Sequence, residues 1–257
     1  MRVLLVIVDD LHPPETDLAR FGTLAQRILG PSVTFSAEPI EIGPPVFYES
    51  ALGMGLATPG IVKKLLDVRG RCDAATIGCF CDPGLAAARE VADFPVVGTG
   101  EACAHFACML GARFGIVTIL DSDVPVIETN LHAIGLAHRC PSVRAIEIPI
   151  QRLADDPERT LRRLAEEGRR AIADGADVLV LGCFGFSLLE CAPRLSEELG
   201  VPVVDPLFVA VKTAETLAAG GYQVSRRAYP SPDLTPLRDF PWFRGVQTTV
   251  RRGGADE

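Results

Sequence analysis

Short apolar runs alternate with helical patterns along most of the chain. Residues 3–8, 33–40, 74–79, 95–98, 114–120, 143–148, 178–182 and 201–204 read as strands, most of them apolar throughout and 33–40 and 143–148 with polar residues interspersed. Between them, the three-to-four-residue spacing predicts helices over 16–28, 101–110, 124–134 and 207–219. Two Asp-Pro pairs, Asp82-Pro83 and Asp156-Pro157, supply an N-cap and a first helical residue for helices running to 92 and to 173. Strand–helix alternation of this kind predicts parallel sheets covered by helices. The stretch from 231 to 257 breaks the pattern with several prolines and a Gly-Gly end, and a meandering tail is expected there.

One segment echoes another. Ala74-Ala-Thr-Ile-Gly-Cys-Phe80 returns as Val178-Leu-Val-Leu-Gly-Cys-Phe184, an apolar strand ending in Gly-Cys-Phe both times. The strand ends that open each half correspond as well: Ile7 precedes Cys79 by 72 residues, and Thr118 precedes Cys183 by 65. Two copies of one α/β unit follow, with some drift in loop length. The expected fold is α/β, with two pseudo-symmetric Rossmann-like lobes, each on a parallel sheet, and the active site in the cleft between them. Residues 1–98 plus about 207–257 would form the first lobe and 99–206 the second.

Ligands of open α/β sheets bind beyond the carboxyl ends of the strands, where both Cys79 and Cys183 fall. Each follows a glycine that lets backbone approach a ligand closely. Asp82-Pro83 after one, and the capping-box spacing Ser187-Leu-Leu-Glu190 after the other, predict helix N-termini nearby, with Pro193 ending the second helix early. Such N-termini favour a thiolate and can hold a developing oxyanion. Two thiols flanking one cleft could remove a proton from one face of a carbon and return one to the other. If the substrate's own carbonyl takes the charge, no cofactor is required. Free cysteine is also a common core residue. Cys72, Cys103, Cys108, Cys140 and Cys191 are read that way, and Cys81 as a neighbour of the site without a repeat partner.

Composition narrows the setting. With 25 Lys+Arg against 33 Asp+Glu the net charge is −8, which offers no footprint for nucleic acid or an anionic membrane. No apolar run approaches the ~18 residues of a membrane span. The apolar start runs straight into Asp9-Asp10, so a first strand is expected there and not a signal peptide. Eight cysteines without export signals suit reduced thiols in the cytoplasm. With no C-x-x-C pair and four scattered histidines, no metal site is expected.

These residues resemble the aspartate/glutamate racemase superfamily, and more closely its hydantoin racemase branch. Ile77-Gly-Cys-Phe-Cys-Asp-Pro-Gly-Leu85 is similar to the branch's first catalytic motif. Phe94-Pro-Val-Val-Gly-Thr-Gly-Glu-Ala102, Leu110-Gly-Ala-Arg-Phe-Gly-Ile-Val-Thr118, Val178-Leu-Val-Leu-Gly-Cys183 and Val201-Pro-Val-Val-Asp205 continue the match in order. The resemblance is strong over residues 73–125 and 176–230, weak before Gly43 and absent after Pro232. It implies an isomerase with Cys79 and Cys183 as the catalytic pair. The reaction implied is cofactor-independent racemisation of 5-substituted hydantoins or a related ureide such as allantoin. It also implies a small-molecule substrate and a homo-oligomer.

The departures from the pattern bear on the ligand. The family ends its first strand in Asn-Pro-Asn-Thr or Ser, where this chain has Ile7-Val8-Asp9-Asp10. Asp9 could accept ring N–H groups, or belong to an ordinary turn. The superfamily's amino-acid racemases follow their cysteines with polar residues that grip a carboxylate. Here Phe80 and Phe184 would be apolar walls, or rings packed under the strand ends. Thr118, Glu49 and Gly185 are further candidate substrate contacts. The alternatives are an amino-acid racemase, a maleate isomerase or arylmalonate decarboxylase type of enzyme, or a catalytically silent binding protein.

Overall fold

The apolar runs near residues 3 and 114 become the inner strands of two separate sheets. The computed structural model describes residues 1–8, 15–43 and 50–243. In chain order its elements are β1 (Arg2–Ile7), α1 (Glu15–Ile28), β2 (Thr34–Pro39), α2 (Ala51–Asp67), β3 (Ala74–Ile77), α3 (Leu85–Val91), β4 (Val96–Gly98) and α4 (Thr99–Leu110). The second series is β5 (Phe114–Thr118), α5 (Val124–Ala133), β6 (Ser142–Ala145), α6 (Pro157–Ala173), β7 (Val178–Leu181), α7 (Ala192–Leu199), β8 (Val203–Val204) and α8 (Pro206–Ala219).

Both sheets have four parallel strands in the same order. The first runs β2-β1-β3-β4 and the second β6-β5-β7-β8. The strands ahead of the two cysteines, β3 and β7, therefore occupy equivalent places. The equivalence reaches single hydrogen bonds. Gly78 donates its N–H to the Val6 carbonyl at 2.8 Å, and Gly182 donates to the Val117 carbonyl at 2.8 Å. Both positions are tight for a side chain: a Cβ on Gly78 would lie 3.0 Å from that Val6 oxygen, and one on Gly182 2.7 Å from the Ile116 side chain.

The helices that link the sheets change sides. Leaving β4 of the first sheet, α4 packs beneath the second, against β7 and β5. Leaving β8 of the second, α8 returns beneath the first, against β3, β4 and β1. The two helices pack on each other. Apolar residues of α8 such as Leu207, Ala210, Val211 and Ala214 share a buried cluster with Val3, Leu5 and Ile7 of β1.

Three local expectations change. Helix α2 has no counterpart in the sequence reading, because Gly53, Gly55, Pro59 and Gly60 mask its periodicity. Ser50 caps it by accepting from Gly53 N, and Gly60 lets it press onto the Ile42 carbonyl. Asp82-Pro83 does not start a helix: α3 begins after Gly84, which sits at φ +64°. Ser187 and Glu190 do not form a capping box, since residues 184–189 make a 3₁₀ segment and Pro193 lies in the first turn of α7. The tail is less loose than expected, with Leu234 and Phe243 buried in the first sheet's core.

Gly60→Ala and Gly22→Ala test the close packing of α2. A Cβ at Gly60 would lie 1.9 Å from the Ile42 carbonyl oxygen, whereas one at Gly22 in α1 meets nothing within 4 Å. Urea unfolding should show Gly60→Ala destabilised by about 1–3 kcal/mol. The Gly22→Ala midpoint should rise, by about 0.5–1 kcal/mol of helix preference. Equal shifts in the two variants would count against the α2 contact.

Candidate active site

Each cysteine stands one residue beyond the glycine bond that ends its strand pairing. That bond is the same in both sheets, so the two thiols arrive at equivalent carboxyl ends. They line one cavity between the sheets, together with Val8, Phe80, Cys81, Ile119, Asp123, Ile150 and Phe184. The cavity is small, about 50 Å³. Two roomier cavities of about 610 and 570 Å³ lie elsewhere and touch neither Cys79 nor Cys183. Convergent chemistry, and not size, marks the site.

All eight cysteines are thiols outside any disulfide. Cys79 is half-buried and Cys183 buried. Cys81 lies in hydrogen-bonding contact with Cys79. That contact first and burial second push the Cys81 thiol well above its ordinary range, and the nearby carboxylates of Asp123 and Asp82 push the same way. Asn130 of α5 donates to the Cys81 carbonyl at 2.8 Å and pins this turn to the second lobe. Away from the cavity, burial pushes Cys72 and Cys140 up to about 11 and Cys191 to about 12, and drives Cys103 up as well. These thiols are held protonated at neutral pH.

The helix N-terminus expected beside Cys79 is absent; a turn follows it, then the seven-residue α3. Asp82, at φ +51°, instead turns its carboxylate across to α4, accepting from Gly100 N at 3.0 Å and Glu101 N at 2.8 Å. On the other side Asp205 accepts from Phe208 N at 2.9 Å and from the Ser187 hydroxyl at 3.1 Å. Ser187 in turn accepts from Leu207 N at 3.2 Å. Both switching helices are thus capped from the loops that carry the cysteines. Burial raises the carboxyl of each cap, Asp82 to about 7, although its backbone N–H partners pull it down.

The two phenylalanines cross the cleft in opposite directions. Phe80, from the first sheet, is buried among Phe114, Ile116, Val178 and Val180 of the second. Phe184, from the second, is buried among Val3, Leu5 and Ile7 of the first, its ring 5.3 Å from that of Phe21. They border the cavity, but their main burial is in the opposite lobe. Thr118 does not reach the cavity: it is fully buried, its hydroxyl 3.1 Å from Asp123 Oδ2 and 3.0 Å from the Gly182 carbonyl oxygen. Gly185 is set back, packed on Ile150. Asp9 and Glu49 lie outside the described residues. Asp123 went unnoticed in the sequence, where Asp121-Ser-Asp123-Val-Pro reads as a plain helix start; Asp123 stands at the N-cap position of α5.

Residues 43–214 match the Asp/Glu/hydantoin racemase family. The chain belongs to that family. It is 40% identical over 191 residues to a hydantoin racemase of Rhizobium meliloti, covering 72% of this chain and 78% of that protein. Two solved structures share the architecture. An allantoin racemase from Klebsiella pneumoniae superposes with a TM-score of 0.82 at 30% identity, over 91% of this chain and 94% of its own. One from Pseudomonas fluorescens gives 0.84 at 29% identity, over 90% and 97%. Both strand-end cysteines lie within the matched residues. No three Cys, His, Asp or Glu side chains among the described residues come together as a metal-ligand set.

The Asp82 cap makes stability depend on pH. Its folded pKa of about 7 lies above the ordinary 3.8, so between those values the folded protein keeps a proton that the unfolded chain has released. Stability from this group therefore falls as pH rises from about 4 to 7. In urea unfolding, Asp82→Asn should gain relative to the unmodified protein between pH 5 and pH 8. A constant difference across that window would contradict the buried titration.

Proposed function

We propose that the protein is a cofactor-independent racemase of 5-substituted hydantoins or a related ureide such as allantoin, with Cys79 and Cys183 as the catalytic pair. The observation that carries this reading is the convergence of the two thiols, from equivalent strand ends, on one cavity. The ring's stereocentre lies beside a carbonyl. A thiolate on one face takes the proton, the carbonyl oxygen holds the charge as an enolate, and the opposite thiol delivers a proton to the other face. The balance is one proton removed and one returned. The mostly apolar wall favours an uncharged ring over an amino acid carrying a free carboxylate. The reading includes a homo-oligomer, favoured by the exposed Leu52, Met109, Leu110 and Phe208, and a reducing compartment, favoured by the unpaired sulfurs. Among the described residues, no helix is long and apolar enough to cross a membrane.

Incubation in D2O with single enantiomers of a 5-substituted hydantoin, allantoin, aspartate and glutamate tests the reading. Loss of optical activity with deuterium entering the ring stereocentre is expected, and none with the two amino acids. Exchange confined to the amino acids would overturn it. Cys79→Ser and Cys183→Ser should each lower racemisation by about 10²–10⁴-fold, the range of a lost acid–base group. Near-normal rates in either variant would exclude the two-thiol mechanism.

Alkylation gives an independent check on the pair. Limited iodoacetamide should label Cys79 or Cys183 with loss of activity, slowed by bound hydantoin. Cys72, Cys103, Cys140 and Cys191 should react late, because burial keeps them protonated. Early label on those four with activity intact would overturn the assignment.

A further inference from the structure

We propose that Asp123 is a substrate-recognition residue whose carboxylate, presented to the thiol cavity from the start of α5, accepts a ring N–H of the substrate. This rests on the ring-substrate reading above and adds to it the group that selects the ring. The carboxylate is part of the cavity wall that holds both thiols. Thiols and glycine backbone aside, the rest of the described wall is apolar: Val8, Ile119, Ile150 and the two phenylalanines.

The backbone at Asp123 sets its side chain apart from the other aspartates before helices. An aspartate at an N-cap position ordinarily turns back to accept from its own helix. Asp156 does so toward Arg159 N, and Asp205 toward Phe208 N. Asp123 ends a 3₁₀ turn that runs straight into α5, its own backbone is helical, and its side chain makes no such bond. Its carboxylate is turned toward Thr118 and the cavity, at 4% exposure. The Thr118 hydroxyl has one proton and two acceptors within reach, Asp123 Oδ2 and the Gly182 carbonyl. The Gly182 carbonyl thus gives that hydroxyl an alternative acceptor.

The chemistry of an acceptor here is selective. A cyclic ureide brings N–H donors next to its stereocentre, and a carboxylate pairs with such a donor. A free α-carboxylate would meet it as a like charge in a low-dielectric wall. Asp123 thus accounts for both preference and exclusion. A hydrogen bond to a charged group is worth about 1.5–3 kcal/mol, or roughly 10- to 100-fold in affinity.

The test separates recognition from turnover by using 5,5-dimethylhydantoin, which has no proton at C5 to exchange. Titration calorimetry compares it with its 1-methyl and 3-methyl derivatives on the unmodified protein, Asp123→Asn and Asp123→Ser. Racemisation of a 5-monosubstituted hydantoin is measured alongside. The unmodified protein should bind the parent ring at least 10-fold more tightly than one of the N-methyl forms. Both variants should reduce that ratio to about threefold or less, and raise KM more than they lower kcat. The ratio is internal to each sample, so partial unfolding of a variant cannot imitate the result. Variants that keep the full ratio, or an unmodified protein that shows none, would overturn the assignment to Asp123. Racemisation with an unchanged ratio sinks Asp123 alone. An Asp123-dependent ratio without racemisation sinks the racemase reading and leaves Asp123 as the recognition group.

Discussion

The distance between two thiols on separate sheets depends on how those sheets are fastened together. The fastening here is mutual burial across the cleft. Phe80 is seated in the second lobe and Phe184 in the first, while α4 and α8 each leave one sheet to lie under the other. Each cysteine precedes one of these rings in sequence, so the same few residues carry both the reactive sulfur and the anchor. Fully burying one such ring contributes about 1.5–3 kcal/mol. Sliding one sheet relative to the other would unseat both rings at once.

The caps extend the same arrangement. Asp82 leaves the loop beside Cys79 to hold the first turn of α4, and Ser187 leaves the loop beside Cys183 to join Asp205, the N-cap of α8, at the start of that helix. Local loop geometry is thereby tied to the packing of the whole molecule. Burial of these carboxyls is costly, as their raised pKa values record. Backbone N–H groups at the helix starts offset part of that cost. The arrangement is rigid where the thiols must be placed and small in volume where the ligand must go.

Cys81 gives the cavity an asymmetric element. On the Cys79 side a second thiol, held protonated, touches the first, and a carboxylate stands in the wall. The duplication of the Gly-Cys-Phe segment does not extend to Cys81, because Gly185 stands two residues beyond Cys183. A site that treats two mirror-image substrates needs equivalent thiols on its two faces. It needs only one set of contacts to orient the ring between them.

The sequence by itself determined the alternation of strands and helices, the duplicated unit and the two cysteines at its strand ends. Period and spacing are local quantities, and the Gly-Cys-Phe echo states the duplication directly. It also carried the family, through ordered motifs such as those around Cys79 and Cys183. It did not show α2, whose glycines and proline look like a loop until the Ile42 backbone is seen against Gly60. Nor did it distinguish the destinations of Asp82, Asp123 and Asp205. Asp82 reads as an ordinary cap and the other two carry no signal of their own; only folding sends Asp82 to a distant helix, Asp123 to the cavity wall and Asp205 to its own helix. Phe80 and Phe184 posed the same difficulty, since a ring beside a cysteine can line a pocket or enter a core. The opposite lobe supplies the core that receives each ring, and its surface exists only after both halves have come together.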